Sequence, residues 1–112
     1  MEIKSRIWIE KDGKPFIGYG KIELLKKVDS EHSITAAAKA LKMSYKKAWN
    51  LLNDMELLSE EPLLIKNIGG KSGGSSTLTP YGKQLIEAFE QLNDKCETFL
   101  NNEFNPVSNG IS

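Results

Sequence analysis

The sequence predicts a mainly helical α+β domain, and three stretches of the chain support this prediction. Residues 33–58 have the capping residues and apolar spacing of two short helices joined by a tight turn. Residues 62–79 place a glycine-rich loop between two apolar runs, as in a β-hairpin. Residues 80–104 carry apolar side chains at helical spacing over more turns than a small core can cover. We therefore predict a single domain at residues 1–104 and a disordered tail at residues 105–112, which are polar and contain proline and glycine.

The overall charge sets a limit on the partners of the chain. Its 112 residues suit one domain, and 15 basic and 15 acidic residues leave a net charge of zero. This balance gives no support for a nucleic-acid partner, which usually goes with a basic excess. Lysines nevertheless dominate residues 33–53, whereas acidic residues follow that stretch.

The cysteine content and the hydropathy pattern indicate a compartment. Cys96 is the single cysteine, which excludes an intrachain disulfide and a thiolate metal cluster. The first residues lack the apolar run of a signal peptide. No apolar segment approaches the roughly 20 residues that a membrane span needs. We expect a cytoplasmic protein without a membrane partner.

Residues 1–19 predict an extended segment and a hairpin. Residues 3–9 contain three isoleucines along the extended segment. Asp12-Gly13 is a typical two-residue hairpin turn, and the apolar residues at 16–19 would lie on the return strand.

Residues 20–58 are predicted to hold three helices. The first runs from Gly20 to about Asp29, because its apolar residues recur every three positions. His32, in the connection that follows, is the only histidine and lacks a metal-binding partner at suitable spacing. We interpret His32 as a loop residue and predict no metal site and no cofactor.

Two serines mark the starts of the second and third helices. Ser33 can cap a helix through Thr35–Ala40, whose alanines have high helix propensity and let another helix approach closely. Lys42-Met43 is the predicted turn. Ser44 can cap the third helix, which runs from Tyr45 to about Leu58. This helix carries a stripe of apolar residues at helical spacing, which should face the core. That stripe consists of Ala48, Leu52 and Met55.

The opposite face of the third helix is polar and partly aromatic. The candidate DNA contacts on it and on the second helix are Thr35, Ser44, Tyr45, Lys46, Lys47, Trp49 and Asn50. Residues 33–53 contain four lysines and no acidic residue, which is typical of a nucleic-acid contact. A solvated helical face is the alternative, and a lysine pair alone would favour it. The succession of cap, alanine run, turn and second cap favours DNA.

Residues 62–79 predict a hairpin, or wing, because apolar runs flank a glycine-rich loop. Leu63-Leu64-Ile65 has the composition of a buried strand. Glycines let the loop approach a phosphate backbone, where Lys71 would supply positive charge. The neighbouring loop candidates are Ser72, Gly73 and Ser75. A flexible linker is the alternative. A phosphate-binding P-loop is excluded, because isoleucine occupies the position of its first glycine and glycines follow Lys71 where a helix would have to start.

The last helix is predicted from Pro80 to about Glu103, with Thr79 as its cap. Five apolar residues follow at spacings of 4, 3, 4 and 3, which is typical of a helix-pairing seam: Leu85, Phe89, Leu92, Cys96 and Phe99. Such a helix would be roughly 35 Å long, so its later part would outrun the core. We expect the same helix of a second subunit to pack antiparallel on this seam. Cys96 is interpreted as a small hydrophobic seam residue, with a redox switch as the alternative.

Three separated motifs resemble one group of bacterial regulators. They are SITAAA at Ser33–Ala38, MSYKKAW at Met43–Trp49 and LTPYG at Leu78–Gly82. These motifs resemble the helix-turn-helix of LysR-type regulators and, more closely, the amino-terminal domain of the molybdate-responsive ModE family. The resemblance implies a winged helix-turn-helix with a long carboxy-terminal dimerisation helix. It also implies a homodimer that binds an approximately palindromic operator in double-stranded DNA and regulates transcription.

The resemblance assigns roles to individual residues. It implies base contacts from the third helix, and phosphate contacts from Lys47, Lys71 and the wing serines. The residues implied to contact bases are Ser44, Tyr45, Lys46, Trp49 and Asn50. LysR-type proteins typically have Gln-Pro-Ala after the serine, where this chain has Tyr45-Lys46-Lys47, so its base preference should follow ModE.

ModE-type regulators carry molybdate-binding domains after the dimerisation helix, and this sequence ends where those domains would begin. We therefore expect no molybdate site, while molybdenum-related target genes are expected by analogy. A protein–protein interaction module is the alternative function, with the long helix binding a different protein. Strongly salt-dependent DNA affinity would argue against it. An enzyme has no support, because no paired carboxylates, His/Cys pair or Ser/His pair is suitably placed, and no catalytic residue is predicted.

Overall fold

The computed structural model describes residues 2–67 and 75–111, with side chains as far as Phe104 in the last helix. The fold is α+β and mainly helical, with two separate two-stranded antiparallel sheets, which confirms the predicted fold class. The elements in chain order are β1 (Trp8–Lys11), β2 (Lys14–Gly18), α1 (Tyr19–Glu31), α2 (Ile34–Ala40), α3 (Tyr45–Leu58), β3 (Leu64–Asn67), β4 (Ser75–Leu78) and α4 (Pro80–Ile111).

The β1–β2 hairpin forms at the predicted turn. Asp12 and Gly13 both have positive φ, 54° and 75°, as a two-residue turn between right-twisted strands requires. A register shift between Ile9 and Glu10 inserts an extra residue into β2. This irregularity lets two consecutive residues of β2 point inward, and Phe16 and Ile17 are both buried.

The segment before β1 differs from the predicted strand, since the hairpin pairing begins only at Trp8. Its backbone instead pairs with a side chain of α4. The Ile3 amide donates to Asn101 Oδ1 at 2.7 Å, and Asn101 Nδ2 donates to the Ile3 carbonyl at 3.1 Å. The Asn101 side chain thus satisfies both backbone groups of Ile3, so the segment lies along the later part of α4 without needing a partner strand.

The core lies between α1, α2, α3 and the two hairpins. The α3 stripe predicted from helical spacing is confirmed, since Ala48, Leu52 and Met55 are at most 2% exposed. The buried residues of α1 are Ile22, Leu24, Leu25 and Val28. Met43, in the turn before α3, is only partly buried and packs at the edge of this core.

The wing hairpin pairs β3 with β4 in antiparallel register, with Leu64 opposite Leu78. Both of these leucines are buried. The expectation of a fully buried Leu63-Leu64-Ile65 strand is wrong at its last residue, because Ile65 is 45% exposed. Side chains alternate between the two faces of a strand, and the wing covers the core with one face only.

Helix α4 continues to Ile111, so the prediction of a disordered segment at residues 105–112 is wrong for the backbone up to that residue. The prediction rested on the polar composition of the segment and on its proline and glycine residues. Within a helix, proline lacks the amide for one hydrogen bond and its ring clashes with the carbonyl four residues earlier, so it weakens or kinks the helix but does not always end it. Ser112 lies outside the described residues.

The first turns of α4 pack on the rest of the domain, and this changes the predicted seam. Phe89 is 4% exposed and belongs to the core of its own chain, against which Leu85 is also packed. An ion pair also joins α1 to α4, because Lys26 Nζ of α1 lies 2.9 Å from Glu90 Oε2 of α4. The hydrogen bond to Glu90, with the charge of Glu23, raises the pKa of Lys26 above its ordinary value.

The turn between α2 and α3 is a Schellman motif with a lysine in the left-handed position. The Met43 amide donates to the Ala38 carbonyl at 3.0 Å, and the Lys42 amide donates to the Lys39 carbonyl at 3.1 Å. Lys42 has a φ of 58°, which is unfavourable for a residue with a Cβ. The turn therefore contains conformational strain at an exposed residue.

We expect Lys42→Gly to raise the free energy of unfolding by about 0.5–1 kcal/mol, because glycine adopts positive φ without a steric penalty. Urea denaturation followed by circular dichroism measures the change. The matched control is Lys39→Gly inside α2, which should lower stability by about 1 kcal/mol. Destabilisation by Lys42→Gly of the same size as the control would contradict this account.

Candidate nucleic-acid interface

The two helices of the helix-turn-helix start at the predicted serines. Ser33 Oγ accepts the Ala36 amide at 3.0 Å, and Ser44 Oγ accepts the Lys47 amide at 3.1 Å. Both caps have extended backbone angles, so each fixes the point where the chain turns into helix. Small buried side chains on α2 let α3 pack closely behind it. The position of the outer face of α3 is therefore set by local chemistry.

The face of α3 that was predicted to contact DNA is exposed along its first two turns. Its exposed residues are Ser44, Tyr45, Lys46, Lys47, Trp49 and Asn50. Tyr45 and Trp49 lie one helical turn apart and are 50% and 41% exposed. Two large aromatic rings so near each other on a surface indicate a contact region.

A groove of about 270 Å³ separates this helix face from the wing. Four predicted residues line it, namely Thr35, Tyr45, Trp49 and Ser75. The complete lining in the described part of the chain is Ser33, Ile34, Thr35, Tyr45, Trp49, Lys66, Asn67, Ser75 and Ser76. None of these residues is acidic. The groove therefore offers hydroxyl, amide and ammonium groups beside aromatic rings.

Sequence reasoning missed Lys66 and Asn67, which form the β3 side of the groove. Asn67 Nδ2 donates to Ser75 Oγ at 3.3 Å across the wing strands. The sequence signal that could have identified these two residues is their position as a polar pair directly after the apolar Leu63–Ile65 run. Once a hairpin is assumed, residues opposite a predicted contact such as Ser75 should share its surface.

Two hydrogen bonds fix the wing to the end of α1. The Ser76 amide donates to the His32 carbonyl at 3.0 Å, and the Leu78 amide donates to Asp29 Oδ1 at 3.3 Å. His32 has a φ of 56° at the carboxy-terminal cap of α1. Its backbone thus anchors the wing, and its exposed side chain lies in the loop where the sequence placed it.

The remaining predicted contacts lie at either side of the groove. Lys47 borders an apolar pocket towards the amino-terminal hairpin, together with Trp8 and Leu51. Lys46 and Asn50 are exposed on the helix face between the two regions. The loop candidates Lys71, Ser72 and Gly73 lie outside the described residues, so their predicted contacts stay predictions.

Two other kinds of site are absent from the described part of the chain. Its His, Cys, Asp and Glu side chains form no group of three that could hold a metal ion. Its helices include none that is long and apolar enough to cross a membrane.

Residues 20–83 match the bacterial regulatory helix-turn-helix proteins of the lysR family, and this stretch is more than half of the chain. The chain belongs to that family. The matched stretch begins in α1 and ends in the first turn of α4, so it contains the helix-turn-helix and the wing. The family is one of regulatory proteins, which agrees with the expectation that the chain is not an enzyme.

Several ModE proteins are similar to the chain, as its motifs indicated. The transcriptional regulator ModE of Haemophilus influenzae is 43% identical over 77 residues, which are 69% of this chain and 30% of that protein. The DNA-binding transcriptional dual regulator ModE of Escherichia coli is 37% identical over 92 residues, 82% of this chain and 35% of that protein. The molybdenum transport protein ModE of Azotobacter vinelandii is 32% identical over 96 residues, 86% of this chain and 36% of that protein. The chain thus spans about a third of the length of these relatives.

Proposed function

We propose that this chain binds double-stranded DNA sequence-specifically as a homodimer and thereby regulates transcription in the bacterial cytoplasm. The observation that carries the proposal is the groove between α3 and the wing, whose described lining is free of acidic residues. Membership of a regulatory helix-turn-helix family supports the same function. The net charge of zero does not itself support this function, but residues 33–53 contain four lysines and no acidic residue.

In the proposed complex, the first turns of α3 enter the major groove. Asn50 can pair with adenine and Lys46 with guanine, while the rings of Tyr45 and Trp49 contact apolar base edges. Ser44, which caps the amino-terminal end of α3, is the fifth residue that faces the bases in this complex. Lys47 and the wing hold phosphates on either side, which positions the helix without reading sequence.

The described surface of α4 supports a homodimer. Leu92 and Phe99 are 49% and 61% exposed, and Cys96 lies between them at seam spacing. Because Leu85 and Phe89 pack in their own chain, we place the dimer seam at Leu92, Cys96 and Phe99. The molecule measures 63 × 29 × 22 Å, and α4 continues beyond the core of its own chain. A two-fold dimer would require an approximately palindromic operator.

Selection of bound duplexes from a random DNA pool tests the proposal. Enrichment of an inverted repeat, with half-sites about one helical turn apart, would support a dimer that reads bases. Retention of DNA at low salt without enrichment would contradict sequence-specific binding. Failure to retain DNA at any salt would favour the alternative of a protein–protein interaction module, whose long helix binds a different protein.

We expect Asn50→Ala to lower discrimination between the selected operator and random DNA by about 1–3 kcal/mol, because a base-reading amide is lost. Lys47→Ala is the contrasting variant, and it should weaken binding to both duplexes by similar factors and reduce the salt dependence. Fluorescence anisotropy titrations at several salt concentrations measure both effects. Equal losses of affinity for the operator and for random DNA in Asn50→Ala would contradict a base-reading role for Asn50.

The name of the Azotobacter vinelandii relative connects that protein with molybdenum transport, and we propose molybdenum-related genes as targets of this chain. That the 112 residues themselves bind no molybdate stays a prediction. Isothermal titration with molybdate tests it, and stoichiometric binding at micromolar concentration would contradict it.

A further inference from the structure

The Glu56 carboxylate joins α3 to the base of the wing. Its Oε1 atom accepts the amides of Leu63 and Leu64, both at 2.9 Å. Glu56 lies on α3, and Leu64 is the first residue of β3. We propose that Glu56 is a positioning residue for DNA binding, which sets the separation between α3 and the wing. The proposal rests on the proposed function, because it concerns how the two DNA-contacting elements of that interface are held together.

The location of this link lets it control the width of the groove. Trp49 lies seven residues before Glu56 on the same helix, about 10 Å along its axis. Lys66 lies two residues beyond Leu64 on the strand, about 7 Å further. Both Trp49 and Lys66 line the groove, from opposite walls. A change in the distance between α3 and the start of β3 therefore changes the separation of these two side chains across the groove.

The other hydrogen bonds of the same segment hold it to a different element. The Thr79 amide donates to the Leu63 carbonyl at 2.9 Å, and Thr79 Oγ1 donates to the Pro62 carbonyl at 2.7 Å. These bonds connect the segment to the start of α4, and the bonds of Ser76 and Leu78 connect the other strand of the wing to the end of α1, so each of them reaches α3 only indirectly. Within the described residues, the two bonds accepted by Glu56 are those that join α3 to β3.

The chemistry of the link suits a positioning role. A carboxylate that accepts two backbone amides forms charge-assisted hydrogen bonds, which are shorter and stronger than neutral ones. Glu56 is half-buried, so solvent competes only partly for these bonds. Glutamine keeps an oxygen at the same position, whereas aspartate keeps the charge but is too short to reach both amides. Charge and geometry can therefore be separated by substitution.

The test is a double-mutant cycle of Glu56→Ala and Lys66→Ala, measured on the selected operator. We expect Lys66→Ala alone to lower the salt dependence by about one phosphate contact. Glu56→Ala should weaken operator binding about tenfold and lower the salt dependence similarly, because the wing no longer holds Lys66 at the backbone. Lys66→Ala should then have little further effect in the Glu56→Ala chain.

Three variants complete the design. Glu56→Gln should keep operator affinity within about twofold and preserve the effect of Lys66→Ala. Leu25→Ala, in the buried part of α1, is a stability control whose salt dependence should stay that of the wild type when it is measured below its unfolding temperature. If Glu56→Ala does not fold, Glu56→Asp replaces it in the cycle, with the same expected direction.

The outcomes separate this inference from the proposed function. Wild-type protein that binds no duplex at any salt overturns both. If the wild-type protein binds its operator, and the effects of the Glu56 and Lys66 substitutions on affinity are additive, the positioning role alone is overturned. A loss of affinity in Glu56→Gln as large as that in Glu56→Ala, with the effect of Lys66→Ala preserved in the Glu56→Gln chain, also overturns it, because the charge of Glu56 would then affect DNA binding without moving the wing.

Discussion

Gly82→Ala is expected to lower the free energy of unfolding by about 3 kcal/mol, because a methyl group there would overpack the contact between α4 and the wing. A Cβ at this position would lie 2.6 Å from the Leu63 carbonyl oxygen and 3.3 Å from Leu78 Cδ2. The closer contact is with backbone, which cannot rotate away as a flexible side chain would. The first turn of α4 must therefore move off the base of the wing.

The Leu63 carbonyl is also the acceptor for the Thr79 amide at 2.9 Å, so movement of α4 breaks a hydrogen bond as well. The melting temperature should fall by on the order of 15 °C. Gly20→Ala is the control, because Gly20 lies in the first turn of α1 and an alanine Cβ there would have no atom within 4 Å. Alanine at this position should be neutral or stabilising by up to about 1 kcal/mol. Similar losses in both variants would show that contact with Leu63 is not the cause.

The close contact between Gly82 and Leu63 explains the glycine of LTPYG, which is one of the three motifs that resemble the ModE family. In LTPYG, Thr79 Oγ1 accepts the Gly82 amide at 3.0 Å and caps α4, while Pro80 takes the first helical position. The cap and the proline could be predicted from local rules. The need for glycine could not, because it depends on a carbonyl that lies far earlier in the chain.

The same distinction separates the predicted parts of the fold from the rest. The caps at Ser33 and Ser44, the turn at Asp12-Gly13 and the α3 stripe follow from short-range chemistry and helical period, and the structure contains all of them. The contact of Ile3 with Asn101 joins residues 98 positions apart. No periodicity in either segment indicates such a pairing.

The candidate interface shows a comparable limit. The exposed face of α3 was predictable, because its apolar residues define the buried face and leave the other to solvent. The wall formed by Lys66 and Asn67 depends on where the wing packs. In the sequence, Glu56 is simply one of the acidic residues that follow residues 33–53, and only the structure shows that its carboxylate binds the wing.

Leu92→Glu is expected to convert the proposed dimer into monomers and to weaken operator binding by about 100-fold or more. Leu92 is 49% exposed in the single chain, so a charge there should leave the fold of the domain intact. Between two helices the same carboxylate would be buried without a partner, which is strongly unfavourable. A monomer then engages one half-site and loses the gain in affinity that comes from linking two binding domains.

Sedimentation velocity measures the change in oligomeric state, and anisotropy titration on the palindromic operator measures the change in affinity. Thr98→Glu is the matched control, since it also replaces an exposed neutral residue of α4 with glutamate but is not three or four residues from any seam residue. It should stay dimeric and bind as the wild type does. Binding of Leu92→Glu to a single half-site should equal that of the wild type, because the α3 face and the wing are unchanged. If Leu92→Glu remains dimeric, the interface lies elsewhere on the chain, and the exposed Leu92–Phe99 face is left for another protein to bind.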